Sequence, residues 1–412
     1  MFLFYFFSIL LIYFSFKSLR SGINYLNFFR RELAKNEIDF APFVSIIAPC
    51  RGLDADLEEN LRALFRQNFP KYEIVFAVDD ERDEAVFVIK KLIAENPQVS
   101  AKLIVAPKTK ESSQKVENLR EAVLKVSDES EIFVFVDSDA RPVENWLKNL
   151  IAPLKDEKIG AATGYRWFIS KKRNLASELR VVWNASIASA LGENVKSNFC
   201  WGGSMAMRRE VFEKLEMREK WRGTVSDDFA VTRAMKEAKL PIFFVPQALT
   251  ASVEDCSFSE LFEFTTRQMK ITRVYAQNLW IASFIGSGLF NLVWIWGIFN
   301  LIFLDKSSFS FWFTVLTLLI VSIFSIGKSW LRLNAVKLVL EKYKYQLNKQ
   351  FTTQNTLWIF TPAIFFYNAF CALISRKIVW RGITYELESS RETIVIKDNT
   401  TNEEVSTSEP IS

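Results

Sequence analysis

A chain of 412 residues can hold more than one domain, and half of its residues are hydrophobic but gathered into a few stretches, which excludes an evenly composed soluble protein. The formal charge of +5 is too modest for a nucleic-acid-binding protein and suits anionic lipid headgroups better. Histidine is absent, so a general base must be Asp, Glu, Tyr, Cys or Lys, and a metal would be held by carboxylate oxygens, favouring Mg2+ or Mn2+ over Zn2+.

Residues 1–16 are uncharged and aromatic-rich. They lack the basic leader and small-residue cleavage site of a signal peptide, so an N-terminal membrane anchor is expected over residues 1–20. Lys17, Arg20, Arg30, Arg31 and Lys35 follow it, and the positive-inside rule then places the next domain in the cytoplasm. Cys50, Cys200, Cys256 and Cys371 are scattered without a C-x-x-C, which reads as reduced packing residues.

One α/β domain is expected over residues 40–280. Residues 43–47 form a β-branched run leading into the turn Ala48-Pro49-Cys50-Arg51-Gly52, and Leu57, Leu61, Leu64 and Phe65 recur at helical spacing after it. A second strand over residues 72–78 closes on Asp79-Asp80, with a helix over 84–95. A third strand over 101–106 and a helix over 115–126 precede the run Ile132-Phe133-Val134-Phe135-Val136, which ends in Asp137-Ser138-Asp139. Strand and helix alternating in this way imply a parallel sheet with right-handed crossovers. In such sheets ligands sit beyond the carboxyl ends of the strands, where these acids fall. No G-x-G-x-x-G follows the first strand and no G-x-x-x-x-G-K occurs, which disfavours dinucleotide and P-loop sites.

Further strands are expected at residues 159–167 and 199–209, the second holding Trp201-Gly202-Gly203-Ser204. The paired glycines are consistent equally with close approach to a ligand and with a β-bulge. The apolar stretch 179–191 reads as core rather than an interfacial helix. Ser226-Asp227-Asp228-Phe229 opens a helix, a position where acids also serve for capping. A basic amphipathic helix over 258–279 carries Arg267, Lys270 and Arg273, a pattern that by spacing alone suits lipid headgroups.

Two transmembrane helices are expected over residues 281–327 and an amphipathic interfacial helix over 328–350, with Leu333, Val336, Leu340, Tyr343 and Leu347 on one face. Residues 355–376 form a transmembrane or re-entrant segment. A full span would carry Arg376, Lys377 and Arg381 outside against the charge rule, so a hairpin bent at Pro362 is preferred. Residues 391–412 read as a disordered polar tail.

The ordered series Asp80, Asp137-Ser138-Asp139, Ser226-Asp227-Asp228-Phe229 and Arg267-Gln268-Met269-Lys270-Ile271 resembles the family 2-like glycosyltransferases, and most closely the ceramide glucosyltransferase group. Pro70-Lys71-Tyr72-Glu73, Lys115 with Asn118-Leu119, Gly202 with Ser204-Met205, and Trp380-Arg381 extend the likeness over residues 43–387. The resemblance implies a GT-A (Rossmann-like) nucleotide-sugar domain with a mostly parallel sheet, flanked by N-terminal and C-terminal transmembrane helices. It implies Asp228 as catalytic base and Asp139 with Asp137 as holders of Mg2+ or Mn2+. Pro49, Arg51, Asp80, Lys115, Asp137, Gly203, Arg267 and Lys270 would bind the donor.

The implied function is inverting transfer of a hexose, glucose from UDP-glucose, to a membrane lipid hydroxyl such as that of ceramide or diacylglycerol. A processive polysaccharide synthase and a non-catalytic nucleotide-sugar-binding protein are the alternatives. The series departs from the (Q/R)-x-x-R-W pattern, with Lys270 for the arginine and Ile271 for the tryptophan. Lysine keeps the charge but loses the bidentate fork.

Overall fold

The computed structural model describes residues 1–36, 38–398 and 403–404. The chain divides into an α/β unit of Lys35–Phe168, Glu193–Glu254 and Ser375–Ser412, and a helical unit of Met1–Ala34, Ile169–Gly192 and Asp255–Ile374.

The strands, in chain order, are β1 (Val44–Pro49), β2 (Tyr72–Val78), β3 (Ser100–Val105), β4 (Ile132–Phe135), β5 (Ala161–Thr163), β6 (Arg166–Ile169), β7 (Met205–Arg208), β8 (Ile242–Phe244) and β9 (Thr250–Val253). Seven of them form one sheet in the order β3-β2-β1-β4-β7-β5-β8. β1 pairs in parallel with β2 and β4, β2 with β3, and β5 with β8, while β7 runs antiparallel to β4 and β5. The sheet is therefore mostly parallel, as expected. Every residue of β1 and β4 is buried, which is why both read as apolar runs, broken only at Ser45, whose buried hydroxyl donates to Glu73 at 2.7 Å. Their neighbours in the core include Val75, Phe212 and Trp221. The order of strands reverses at β1 and β4, so the crevice beyond their carboxyl ends lies at the topological switch point.

Four more strands, β10 (Lys377–Trp380), β11 (Ile383–Ser389), β12 (Glu392–Asp398) and β13 (Glu403–Glu404), form an antiparallel sheet in chain order. β12 corrects the expectation of disorder over residues 391–412, of which 399–402 and 405–412 lie outside the described residues. Thr393 and Val395 are buried in β12 while Glu392 and Ile394 are exposed, a period of two that the polar composition conceals. This sheet is fastened to the α/β core by side-chain bonds. The Gln114 backbone N–H donates to the Tyr385 hydroxyl at 3.1 Å, Thr393 Oγ1 donates to the Gly223 carbonyl at 2.9 Å, and Arg233 Nη1 donates to Ser390 Oγ at 2.6 Å. Gly223 has φ +73°, and a Cβ there would meet the Arg391 carbonyl oxygen at 2.1 Å, so only glycine fits.

The helical unit holds four segments long and apolar enough to cross a membrane: Phe2–Leu33, Gln277–Phe303, Phe309–Lys337 and Glu341–Ile374. Phe2, Leu3, Phe6, Ile9, Tyr13 and Phe14 are each more than half exposed, an outward apolar surface of the kind a spanning helix presents to lipid. Phe4, Leu11, Phe290, Val293 and Val321 pack together on the inward side. The first helix runs past the expected anchor of residues 1–20, and the third continues to Lys337.

The interfacial helix expected over 328–350 is corrected as well. Its first part ends the Phe309–Lys337 helix, and after a break near Leu340 the chain resumes as the helix Lys344–Thr356. Its apolar stripe is genuine, but Leu333, Val336, Leu340 and Leu347 are each at most 1% exposed, so they pack within the protein rather than on a leaflet. The segment after it breaks at Leu357–Phe360, and Thr361–Ile374 follows with Pro362 in its first turn. The helix Leu175–Ala188 is buried along most of its length, as core. The basic helix spans Phe258–Tyr275 and stops at Ala276, whose backbone leaves helical geometry. Arg273 there donates to the Ala372 and Leu373 carbonyls and so satisfies the end of the Thr361–Ile374 helix.

Replacing Tyr385 by Phe strips the buried Gln114 N–H of its acceptor. Thermal unfolding of the purified protein should show a loss of about 1–3 kcal/mol. An unchanged midpoint would mean that the hydroxyl does not fasten the C-terminal sheet.

Candidate active site

The crevice beyond β1 and β4 receives acids from two places. Asp137 and Asp139 follow β4, and Asp227 and Asp228 open the helix Asp227–Glu237. They meet because Lys115, in the first turn of the helix Gln114–Ala122, reaches between them. Its Nζ lies 2.7 Å from Asp137 Oδ1 and 2.9 Å from Asp227 Oδ1. Burial alone would lower the Lys115 ammonium, but the facing Asp137, Asp227 and Asp228 hold it above the usual lysine range, so it stays charged. Gly202 makes room for this bridge. A Cβ there would meet Asp227 Oδ2 at 2.3 Å and Lys115 Nζ at 2.8 Å. The missing Cβ of Gly203, the glycine expected at the donor, is instead filled by the Trp201 ring at 2.2 Å. Close approach within the site thus belongs to Gly202.

Arg166, at the start of β6, is a member of the site that sequence reasoning missed. Its Nη1 lies 2.8 Å from Asp139 Oδ2 and its Nη2 3.7 Å from Asp137 Oδ2, and its guanidinium stacks over the Trp201 ring at 4.8 Å. A single arginine inside Gly164-Tyr165-Arg166-Trp167-Phe168 was the available signal, since a charge within an apolar run is buried only with a partner.

The two acids after β4 differ electrostatically. Burial raises the Asp137 carboxyl, and it raises Asp227 in the same way. Burial also pulls on Asp139, but Arg166, Arg381 and Lys115 overcome it and hold that carboxyl below the usual range.

Asp139 Oδ1 is buried and accepts no hydrogen bond. An ionised, unengaged carboxylate oxygen suits a hard divalent cation. Among the described residues no group of three or more acids, cysteines or histidines could hold an ion alone. An ion here would therefore complete its shell with substrate phosphate and water, as Mg2+ ordinarily does. The residues present fit such an ion, with Asp139 in front and Asp137 committed to Lys115.

Asp228 is fixed by bonds to both oxygens. The Gly202 N–H donates to Oδ2 at 3.3 Å, the Phe229 N–H to Oδ1 at 2.7 Å, and the Ser226 hydroxyl also donates to Oδ1. After β2 the paired acids separate. Asp79 is buried and bonded to Arg51 at 3.1 Å and Lys108 at 2.6 Å, whereas Asp80 is partly exposed on the loop and bonded to Arg82. Backbone and side-chain hydrogen bonds from Arg82 lower the Asp80 carboxyl. Pro49 ends β1. Arg51, just beyond it, also approaches Asp398 of β12 at 3.4 Å. Arg267 and Lys270 lie on the Phe258–Tyr275 helix of the helical unit, where Arg267 stacks over Phe264 at 5.7 Å and burial lowers the Lys270 ammonium.

The chain is similar to several known proteins. A ceramide glucosyltransferase of Candida albicans is 29% identical over 172 residues, covering 39% of this chain and 30% of the relative. Ceramide glucosyltransferase 1 of Caenorhabditis elegans is 25% identical over 202 residues, covering 47% of this chain and 42% of the relative. The aligned stretches thus span less than half of these relatives. A solved structure, the mannosyltransferase PcManGT of Pyrobaculum calidifontis in complex with GDP-Man and Mn2+, is 17% identical with a TM-score of 0.42, covering 88% of this chain and 99% of that one. The family described as Glycosyl transferase family 21 matches residues 9–393, from the first apolar helix into β12. Since that match takes in both the acids around Lys115 and the apolar helices, the chain belongs to glycosyl transferase family 21.

Proposed function

We propose that the protein is a membrane-bound inverting glycosyltransferase that moves a hexose, glucose from UDP-glucose, to the hydroxyl of a membrane lipid such as ceramide or diacylglycerol. The observation that carries the reading is the gathering of Asp137, Asp139, Asp227 and Asp228 around Lys115 and Arg166, in a family 21 chain that also has apolar helices of spanning length. The two relatives named above as ceramide glucosyltransferases support a lipid acceptor.

In this reading Asp228 takes the proton of the acceptor hydroxyl as its oxygen bonds to the anomeric carbon. The carbon–oxygen bond to the diphosphate breaks on the opposite face, and its electron pair leaves with UDP. The three donors on Asp228 hold the carboxylate in one orientation. Lys115 and Arg166 hold the acids of the crevice in register. A divalent ion on Asp139, Mg2+ or Mn2+, would neutralise the departing diphosphate. Asp80, with Pro49 and Arg51 near the ends of β2 and β1, is proposed for the uridine side. Arg267 and Lys270 are proposed for the diphosphate and acceptor side, with Lys270 acting as a point charge.

The orientation proposed is cytoplasmic for the α/β unit, following the basic residues after the first helix. β10 to β12 belong to that same unit, so the chain must return to its starting side after residue 374. If Gln277–Phe303 leads out and Phe309–Lys337 leads back, Glu341–Ile374 enters and leaves on one face, turning at its break over Leu357–Phe360.

Asp228→Asn should lower turnover by roughly 10²–10⁴-fold while UDP affinity stays close to wild type, read by product formation in detergent and by UDP titration; equal activity would remove Asp228 from its role. Chelation should abolish transfer and added Mn2+ restore it, with Asp139→Asn needing more metal for half-maximal rate. Turnover that persists in excess chelator would end the metal assignment. In sealed vesicles, cysteines introduced at Lys102 and Glu388 should label from the same side and one at Lys306 from the other. Labelling of Glu388→Cys together with Lys306→Cys would refute the re-entrant path.

A further inference from the structure

β10 and β11 are joined by Arg381-Gly382 alone, since Trp380 pairs with Ile383. Both loop residues have positive φ, +52° at Arg381 and +81° at Gly382, as a twisted two-residue hairpin turn requires. Glycine suits that geometry. Arginine does not, and Asn, Asp or Gly ordinarily stands at such a position. A long cation held in left-handed backbone is retained where its surroundings use it.

Those surroundings are the acids of the crevice. Arg381 Nη2 donates to Asp54 Oδ1, and the other Asp54 oxygen accepts from the Ser138 hydroxyl at 2.5 Å, between Asp137 and Asp139. Arg381 thus reaches the loop that carries the metal-binding acid. Its side chain is 38% exposed and Asp54 only 11%, so the carboxylate is the buried anchor and the guanidinium keeps an open side. Among the described residues Asp54 accepts the only hydrogen bond that Arg381 donates, and further N–H groups of the fork remain unengaged. The turn is also held from behind. Tyr385, Ser390 and Thr393 of the same sheet are bonded to the α/β core, and Asp398 approaches Arg51. The position of Arg381 is therefore fixed by the sheet rather than by its own flexible stem.

We propose that Arg381 is a donor-binding residue, a guanidinium that grips the diphosphate of the nucleotide sugar from the C-terminal hairpin, with Asp54 as its positioning residue. The inference rests on the functional reading above. A planar fork with unengaged donors matches phosphate oxygens bidentately. It stands across the Asp54–Ser138 contact from Asp139, so cation and metal would hold the diphosphate from different sides. As the sugar leaves, the charge growing on UDP is met by a group that has no need to move.

The test uses the full-length protein in detergent with Mn2+, titrated separately with UDP and with uridine by ligand-observed NMR. Arg381→Ala should weaken UDP at least tenfold and leave uridine within twofold of wild type. Arg381→Lys, which keeps the charge, the turn and the fold, should give a smaller loss for UDP alone. Unchanged UDP affinity in both variants overturns the inference, as does an equal loss for UDP and uridine, which marks a structural role. Wild-type protein that binds neither ligand overturns the functional reading itself, and the inference with it.

Discussion

The site depends on one buried ammonium. Asp137 comes from the end of a sheet strand and Asp227 from the start of a helix far along the chain, and carboxylates brought this close repel unless a cation stands between them. Lys115 supplies it from a third element, bonded to both. Taking such a group out of water is costly, and removing one partner leaves the others uncompensated. Gly202 belongs to the same constraint, because any side chain there would occupy the space of the ion pair. Arg166 extends the pattern to Asp139, and the Trp201 ring fixes the guanidinium from the other face. The crevice is thus assembled by charge pairing across elements that share no local sequence, over a sheet whose core is mostly apolar.

Much of this was legible in the residues. An apolar run that stops at Asp137-Ser138-Asp139 announces a buried strand with acids at its end, and Ser226-Asp227-Asp228 announces a helix start. What escaped did so for physical reasons. Asp79 and Asp80 are adjacent at a strand end, where one step turns a side chain to the opposite side, so composition could not tell which is buried. Gly202 and Gly203 pose the same ambiguity, settled only by where Trp201 lies. Arg166 sits in an aromatic run that reads as plain core. β12 looked like a tail because its inward positions include a threonine and its outward ones include Glu392 and Lys397, and the groups that bind its sheet to the core lie far away in sequence. The stripe from Leu333 to Leu347 was visible, but the break near Leu340 carries neither proline nor glycine, and nothing local marks it.

The helical unit shows the limits of pattern in another way. Length and apolar content identify segments able to cross a bilayer, yet the path of the last one is decided by where the chain goes next. Residues beyond Ile374 return to the α/β unit and form strands there. Arg273, read from spacing as a headgroup contact, instead satisfies the carbonyls at the end of the Thr361–Ile374 helix. A basic residue near a membrane surface therefore need not face lipid at all.

The C-terminal sheet also sets an order of events during synthesis. The ribosome delivers Gln114, Gly223 and Arg233 long before Tyr385, Ser390 and Thr393, so the α/β unit waits with groups unmatched while the three later apolar segments are made. A nascent chain halted after Ile374 would own the whole acid cluster yet lack the strands that brace it. Completion of the α/β unit is thereby tied to completion of the apolar segments that precede its last strands.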